Sequence, residues 1–353
     1  MSKINSYSLK DFGIHERAGR LADALLLLNK ARSVDGKSSL DKIYEMNKNR
    51  LLIKVQRQAR EFYAALQPEP IFESENNPRR YAEQNIDQNH LLPPLISFTT
   101  ISSRIGRVEK TVASLAKQKR KAHSINLYIS SKPYLIDEGI QPDNPILKRI
   151  AAMGVNIYQV PNIGPYRKQI PLIIQLKSAA ASLHTPFITI DDDVIYPNDI
   201  IERLMTALDS SDAVIAHRGR EIRFDSGRIC AYKSFPPPSE RSSFSNMGTG
   251  KNGIAYRLGY FPKNPIDYVG HILAPTADDI WCKWATSAYC IPTVILEPTA
   301  AYDPALDFTE SEPSDKNGLF HKYNAQGTND DAMQNFELFY ASRGIGLAAM
   351  MGK

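Results

Sequence analysis

Between residues 95 and 217, short apolar runs alternate with amphipathic segments, and no other feature limits the fold as strongly. "LISFTT" (95–100), "INLYIS" (125–130), "VNIYQV" (155–160), "PFITI" (186–190) and "DAVIAH" (212–217) are each of strand length. "RVEKTVASLAKQ", "ILKRIAAMG", "YRKQIPLIIQLKSAAAS" and "PNDIIERLMTAL" lie between them and carry helical spacing. Gly154 suits a helix C-cap. Pro197 suits a first turn, whereas Pro171 has to be accommodated inside its helix. Strands and helices in this rhythm predict a Rossmann-like α/β fold, with a doubly wound and mostly parallel sheet. Such sheets bind ligands outside the carboxyl ends of their strands.

The flanks differ in texture. Residues 1–66 predict a helical extension, with Leu40, Ile43, Leu51, Val55, Phe62 and Leu66 near one face and Lys and Arg on the other. A helical hairpin packed on the main domain is one reading, and an oligomerisation or membrane-surface element is the other. Residues 67–94 read as a polar, proline-containing linker. Residues 95–217 form the α/β half, and 218–353 a half with long Gly-, Pro- and Ser-rich loops and a last helix. Loops of that length are commonly lids or binding loops.

Composition excludes several classes. A net charge of +5 over 353 residues gives no sign of nucleic-acid binding. No apolar run approaches the ~18 residues of a membrane span, and "MSKINSYSLKDFG" lacks a signal-peptide core. Cys230, Cys282 and Cys290 lack metal-ligand spacing and point to a reducing compartment. The expectation is a cytoplasmic protein, with peripheral attachment to a membrane face allowed.

Asp191, Asp192 and Asp193 follow "PFITI" directly, where ligands bind. Like charges at one strand end repel, and a divalent cation between them would offset that. Mg²⁺ and Mn²⁺ favour carboxylate and water oxygen and borrow further ligands from substrate phosphates. In an Asp-x-Asp bend the outer side chains can diverge, Asp193 to the metal and Asp191 to a ribose or a metal-bound water. The bland alternative is an N-cap with surface acids ahead of the next helix.

"ISFTTISSRIGRVEKTVASLAKQ", "INLYIS" and above all "FITIDDDVIYPNDIIERLM" resemble GT-A glycosyltransferases of bacterial surface-polysaccharide synthesis, including the N-acetylglucosamine-transferring subunits of heparosan-type capsule assembly. The resemblance covers roughly 95–295 and is specific at the Asp segment. It implies a nucleotide-sugar donor, usually a UDP-sugar, and a glycan or glycolipid acceptor at the inner membrane face. Mn²⁺ (or Mg²⁺) is the implied cofactor. Asp191, Asp192 and Asp193 would then handle ribose, metal and diphosphate. Thr99, Ser102 and Arg104 would line the nucleotide pocket. Gly248 and Gly250 in "MGTGKNGIAY" would form the wall under sugar and acceptor. Asp279, or its neighbour Asp278, would act on the acceptor hydroxyl. His321 in "GLFHKYN" would be a further metal ligand. The motif leaves the donor sugar and the stereochemical course open.

Other residues carry weaker signals. In "GPYRKQIP", Gly164 permits close backbone approach, and Arg167 and Lys168 lie near a helix N-terminus that favours anions, with Lys168 the candidate for diphosphate or uridine. Trp281 suits a sugar face or the core, and "TNDD" (328–331) opens a helix that could close over the donor. His217 and His271 suit ordinary hydrogen-bonded roles. Two other functions compete. A phosphohydrolase would use Asp191 as nucleophile and Asp193 as acid/base, although that motif normally follows the first strand. A silent sugar-nucleotide binder or scaffold subunit would need no intact acids.

Overall fold

The apolar runs do form strands in the computed structural model, which describes residues 20–35, 38–84, 92–264, 267–297 and 327–351. In chain order the strands are β1 (Glu69–Phe72), β2 (Leu95–Thr99), β3 (Ser124–Ile129), β4 (Val155–Gln159), β5 (Pro186–Thr189), β6 (Val214–Ala216), β7 (Gly219–Glu221), β8 (Phe224–Asp225), β9 (Arg228–Ile229), β10 (Ser242–Ser243), β11 (Asn246–Gly248), β12 (Ile254–Arg257) and β13 (Thr293–Ile295). Among the described residues one large sheet runs β1-β4-β3-β2-β5-β12-β6-β13-β10. β4, β3, β2 and β5 are mutually parallel, as are β6 and β13. β12 is inserted antiparallel between β5 and β6, and β1 and β10 are antiparallel edges. The expected Rossmann-like, mostly parallel α/β sheet is therefore present.

Phe98, Leu127, Ile157 and Phe187 are buried in the four adjacent parallel strands, the continuous apolar pattern of a sheet covered on both faces. From β2 the chain winds outward through β3 and β4, then returns to β5 on the other side of β2. The direction of winding thus reverses between β2 and β5. The crevice beyond their carboxyl ends is where such a topology receives ligands.

Several local expectations hold. The helix Pro145–Ala152 starts at an Asn144 cap whose Oδ1 accepts from the Ile146 amide at 3.0 Å. It is followed by Gly154 at φ +87°. Pro171 falls in the first turn of the helix Ile170–Ser178, where a missing N–H costs nothing. The helix Ile200–Asp209 begins three residues after Pro197.

The linker expectation fails in part. Residues 67–94 contain the edge strand β1 and the helix Pro78–Gln84. Polar residues of β4 hold this segment. Asn156 Oδ1 accepts from the Ser74 amide at 2.7 Å, and the Tyr158 hydroxyl donates to Glu73 at 2.7 Å. An edge strand tolerates Pro70 because one of its faces needs no ladder partner.

The N-terminal helices Leu21–Asp35 and Ser38–Ala65 pack on each other and on the helices Gly270–Leu273 and Thr328–Ala341. Leu51, Val55 and Leu66 are buried there and Phe62 partly so. The side chains of Leu40 and Ile43 lie outside the described residues. His271 lies in the short helix Gly270–Leu273, and its Nδ1 lies 2.9 Å from the Tyr63 hydroxyl. No described helix is long and apolar enough to cross a membrane.

Candidate functional site

The acid triplet leaves β5 at the reversal of winding, and its side chains alternate. Asp191 and Asp193 are 30% and 29% exposed, whereas Asp192 is 7% exposed. Asp192 and Asp193 lie in a turn after β5, and the outer acids meet the crevice while the middle one meets the core. Asp192 accepts from Thr100 Oγ1 at 2.5 Å and from Arg104 at 3.2 Å. Its own carbonyl accepts from Thr111 Oγ1 at 2.9 Å. Asp192 was expected to contact the donor, but it ties the β2 loop to the end of β5. Burial raises its carboxyl, against Arg104 and Thr100.

The chain itself supplies cations to the triplet. Arg104 stands 3.2 Å from both Asp192 and Asp193. Lys168 Nζ stands 3.0 Å from Asp191, 3.1 Å from Asp278 and 3.9 Å from Asp279. The repulsion is thus offset in part without a metal. Burial opposes the Lys168 charge, but Asp191, Asp278 and Asp279 together hold the ammonium well above its ordinary value. Burial would likewise raise Asp191, but Lys168, then Arg104 and Arg218, hold it below the usual range.

Lys168 was expected at an open anion site. It is instead enclosed by acids, and it joins the end of β5 to the start of the helix Asp278–Ser287. Its backbone lies in a tight turn, Gly164–Lys168. Gly164 sits there at φ +60°, and a Cβ would come within 3.2 Å of the Pro275 carbonyl, so only glycine fits. Arg167 is 1% exposed and pairs with Asp137 at 2.8 Å, so it too meets an acid of the chain where an external anion was expected. Asp137 also accepts from the amides of Ser102 and Gly139. This buried pair shapes the β2 loop, and no spacing in the sequence announces it.

The opposite wall comes from the far half of the chain. Asp278 accepts from Gln169 Nε2 at 2.6 Å as well as facing Lys168. Asp279 Oδ2 accepts from the Gly250 amide at 2.7 Å. A Cβ on Gly250 would stand 2.8 Å from Lys168 Nζ and 3.0 Å from Asp279 Oδ1, so a larger residue here would displace those side-chain ends. Burial pushes Asp279 up to about 7, with Asp278 and Asp191 adding to the effect and Lys168 opposing it.

The remaining expected residues divide. Thr99 Oγ1 donates to the Tyr128 carbonyl, and Ser102 Oγ accepts from the Glu138 amide, so both side chains shape the first loop. Gly248 lies in β11 against β7, where a Cβ would meet Ala216 at 2.7 Å, so its role is packing, beside a small cavity that Asp279 also lines. Trp281 is core. The helix Thr328–Ala341 does not close over the crevice at its start, because Asp330 accepts from the Tyr232 amide and Asp331 faces Lys30 at 3.8 Å. His217 is buried at the end of β6, pushed down to about 4 by burial. His321 lies outside the described residues. Cys230, Cys282 and Cys290 carry free thiols. Arg218, directly after "DAVIAH", was missed, although its place at a strand end was visible.

Among the described residues no group of three or more His, Cys, Asp or Glu is arranged to hold a metal ion. Asp191 and Asp193 nevertheless suit a hard cation that takes only one or two carboxylates from the protein and the rest from phosphate and water.

The chain matches no family model and no curated protein. Among solved structures it is similar to a crystal structure of 4-diphosphocytidyl-2C-methyl-D-erythritol synthase at 11% identity, with a TM-score of 0.38 over 65% of this chain and 96% of that one. It is also similar to S. aureus TarS 1-349 at 14% identity, with a TM-score of 0.32 over 72% of this chain and 82% of that one.

Proposed function

We propose that this crevice binds a nucleotide-sugar, a UDP-sugar in the first instance, and transfers its sugar to a hydroxyl of a glycan or glycolipid acceptor in bacterial surface-polysaccharide synthesis, as a GT-A glycosyltransferase. One observation carries the reading. Two partly exposed carboxylates, Asp191 and Asp193, follow β5 at the reversal of winding, and Asp191 faces a second acid pair, Asp278 and Asp279, across Lys168.

In this reading Asp191 and Asp193 would hold Mn²⁺ or Mg²⁺ together with the donor diphosphate. The metal would supply stabilisation of the charge that develops on the leaving nucleotide. The charge balance favours its entry, since Asp191, Asp192, Asp193, Asp278 and Asp279 outnumber Arg104, Lys168 and Arg218 in the crevice. A diphosphate adds further negative charge. Arg104 swings between carboxylate and phosphate, because a guanidinium fits either bidentately. Asp279 takes the proton of the acceptor hydroxyl. Its raised value of about 7 suits a base working near neutral pH. Lys168 fixes Asp191 and Asp279 relative to each other.

The test is turnover of a panel of UDP-sugars, scored as nucleotide release with and without Mn²⁺. Release that needs the metal and is abolished in Asp193→Ala, with the fold intact, supports the reading. Full turnover in Asp193→Ala rejects it.

A further inference from the structure

Arg218 belongs to no role assigned so far. It follows β6 at the carboxyl edge of the sheet, on the far side of β5 from the Arg104 loop. The inserted strand β12 separates β5 from β6, and the chain entering β12 through Thr249 and Gly250 bridges that gap. Arg218 is locked to this bridge at two points. Its Nε donates to Thr249 Oγ1 at 3.2 Å, and its carbonyl accepts from the Thr249 amide at 3.1 Å. The next residue, Gly250, donates its amide to Asp279. A continuous set of bonds therefore holds Arg218 in register with Asp279, Lys168 and Asp191.

The side chain is only partly buried, unlike Arg167, so solvent and solutes reach it. Its charge also reaches Asp191, one of the groups on which it acts. Its Nε is turned to Thr249, and a guanidinium is the planar, permanently charged group that suits phosphate oxygens.

We propose that Arg218 is a second phosphate-binding arginine of the crevice, meeting the donor diphosphate from the β6 side while Arg104 meets it from the β2 side. This rests on the nucleotide-sugar reading above and adds the residue that sets diphosphate affinity. A guanidinium on each side of β5 lets the crevice attract a diphosphate despite its surplus of carboxylates.

The test is calorimetric titration, in Mn²⁺, of UDP, uridine and inorganic pyrophosphate into the wild type, Arg218→Met and Arg218→Lys. A charge-assisted contact of ordinary strength predicts UDP and pyrophosphate binding about 10- to 100-fold weaker in Arg218→Met. Uridine affinity should stay within about twofold, because uridine has no diphosphate. Arg218→Lys should fall between, keeping the charge and losing the planar guanidinium. Unchanged UDP and pyrophosphate affinity in Arg218→Met overturns the proposal, as does an equal loss for uridine, which would mark a structural role. Wild-type binding of pyrophosphate without UDP rejects the nucleotide reading and leaves Arg218 to be judged on pyrophosphate. Binding of neither rejects both.

Discussion

Two lysines buried against the helix Asp278–Ser287 have opposite fates. Lys168, on the crevice side, is surrounded by Asp191, Asp278 and Asp279 and keeps its charge well beyond the ordinary range. Lys283, on the helix itself, lies beside a small cavity with Gly248, Thr286 and Thr293. Its amine finds no hydrogen-bond partner among the described residues, and burial pushes it down to about 7. The two are buried alike, and only their partners differ. A lysine bonded among carboxylates organises a charged site, whereas Lys283, which lines its cavity with Asp279 but makes no ion pair with it among the described residues, has its desolvation uncompensated. Burial alone therefore does not mark a functional cation.

The largest expected effect tests the first half of this contrast. Lys168→Met removes the ammonium that faces Asp191, Asp278 and Asp279. Breaking a buried ion pair from one side costs about 3–5 kcal/mol, which urea unfolding would read. A loss below about 1 kcal/mol would mean that solvent screens these acids as it does at a surface.

Lys283→Met should act in the opposite direction. It keeps side-chain volume and removes a buried polar group with no partner, a gain of about 1–3 kcal/mol at neutral pH. Destabilisation would show that Lys283 has a partner after all.

The pH dependence sharpens the contrast. Lys283 has an ordinary value of 10.5 and a folded value of about 7. Between these the unfolded chain binds more protons, so this group makes stability rise with pH across that window. Lys283→Met should flatten the rise. Lys168, raised in the folded state, contributes stability that is present below the ordinary lysine range and lost only above it. Its variant should also lose stability as pH rises above 7, because Lys168 is the charge that holds Asp279 down to about 7, and a carboxyl raised further binds more protons in the folded state than in the unfolded chain. Urea titrations across this range check both.

Arg104→Met should cost less stability than Lys168→Met, because Arg104 and Asp193 are partly exposed and the buried Asp192 keeps its bond from Thr100. The same variant should weaken UDP binding about tenfold or more. A large stability loss with unchanged UDP affinity would make Arg104 a structural cation like Lys168.

The strand–helix rhythm of 95–217 was legible because each parallel strand is covered on both faces and shows as an apolar run. The place of the acid triplet followed from it, and so did the strand end that carries Arg218. That Asp192 turns inward could not be read from alternation, because the strand ends at Thr189 and the acids lie in the turn beyond it. β1 escaped notice because "EPIF" holds a proline and an acid, which only an edge strand tolerates. β12 lies in a Gly-rich stretch, and nothing local says that it inserts antiparallel beside β5. The partners of Lys168 and Arg167 come from distant segments that meet only in the folded sheet, so neither residue could be told from a solvated helix-start cation.

The most direct test of the central assignment is calorimetric titration of UDP into the wild type and Asp193→Ala, each with Mn²⁺ and with EDTA. UDP binding that requires Mn²⁺ and disappears in Asp193→Ala, with an unchanged melting temperature, is the expected result. Equal UDP affinity in both proteins, or no binding to the wild type with the metal present, would contradict it.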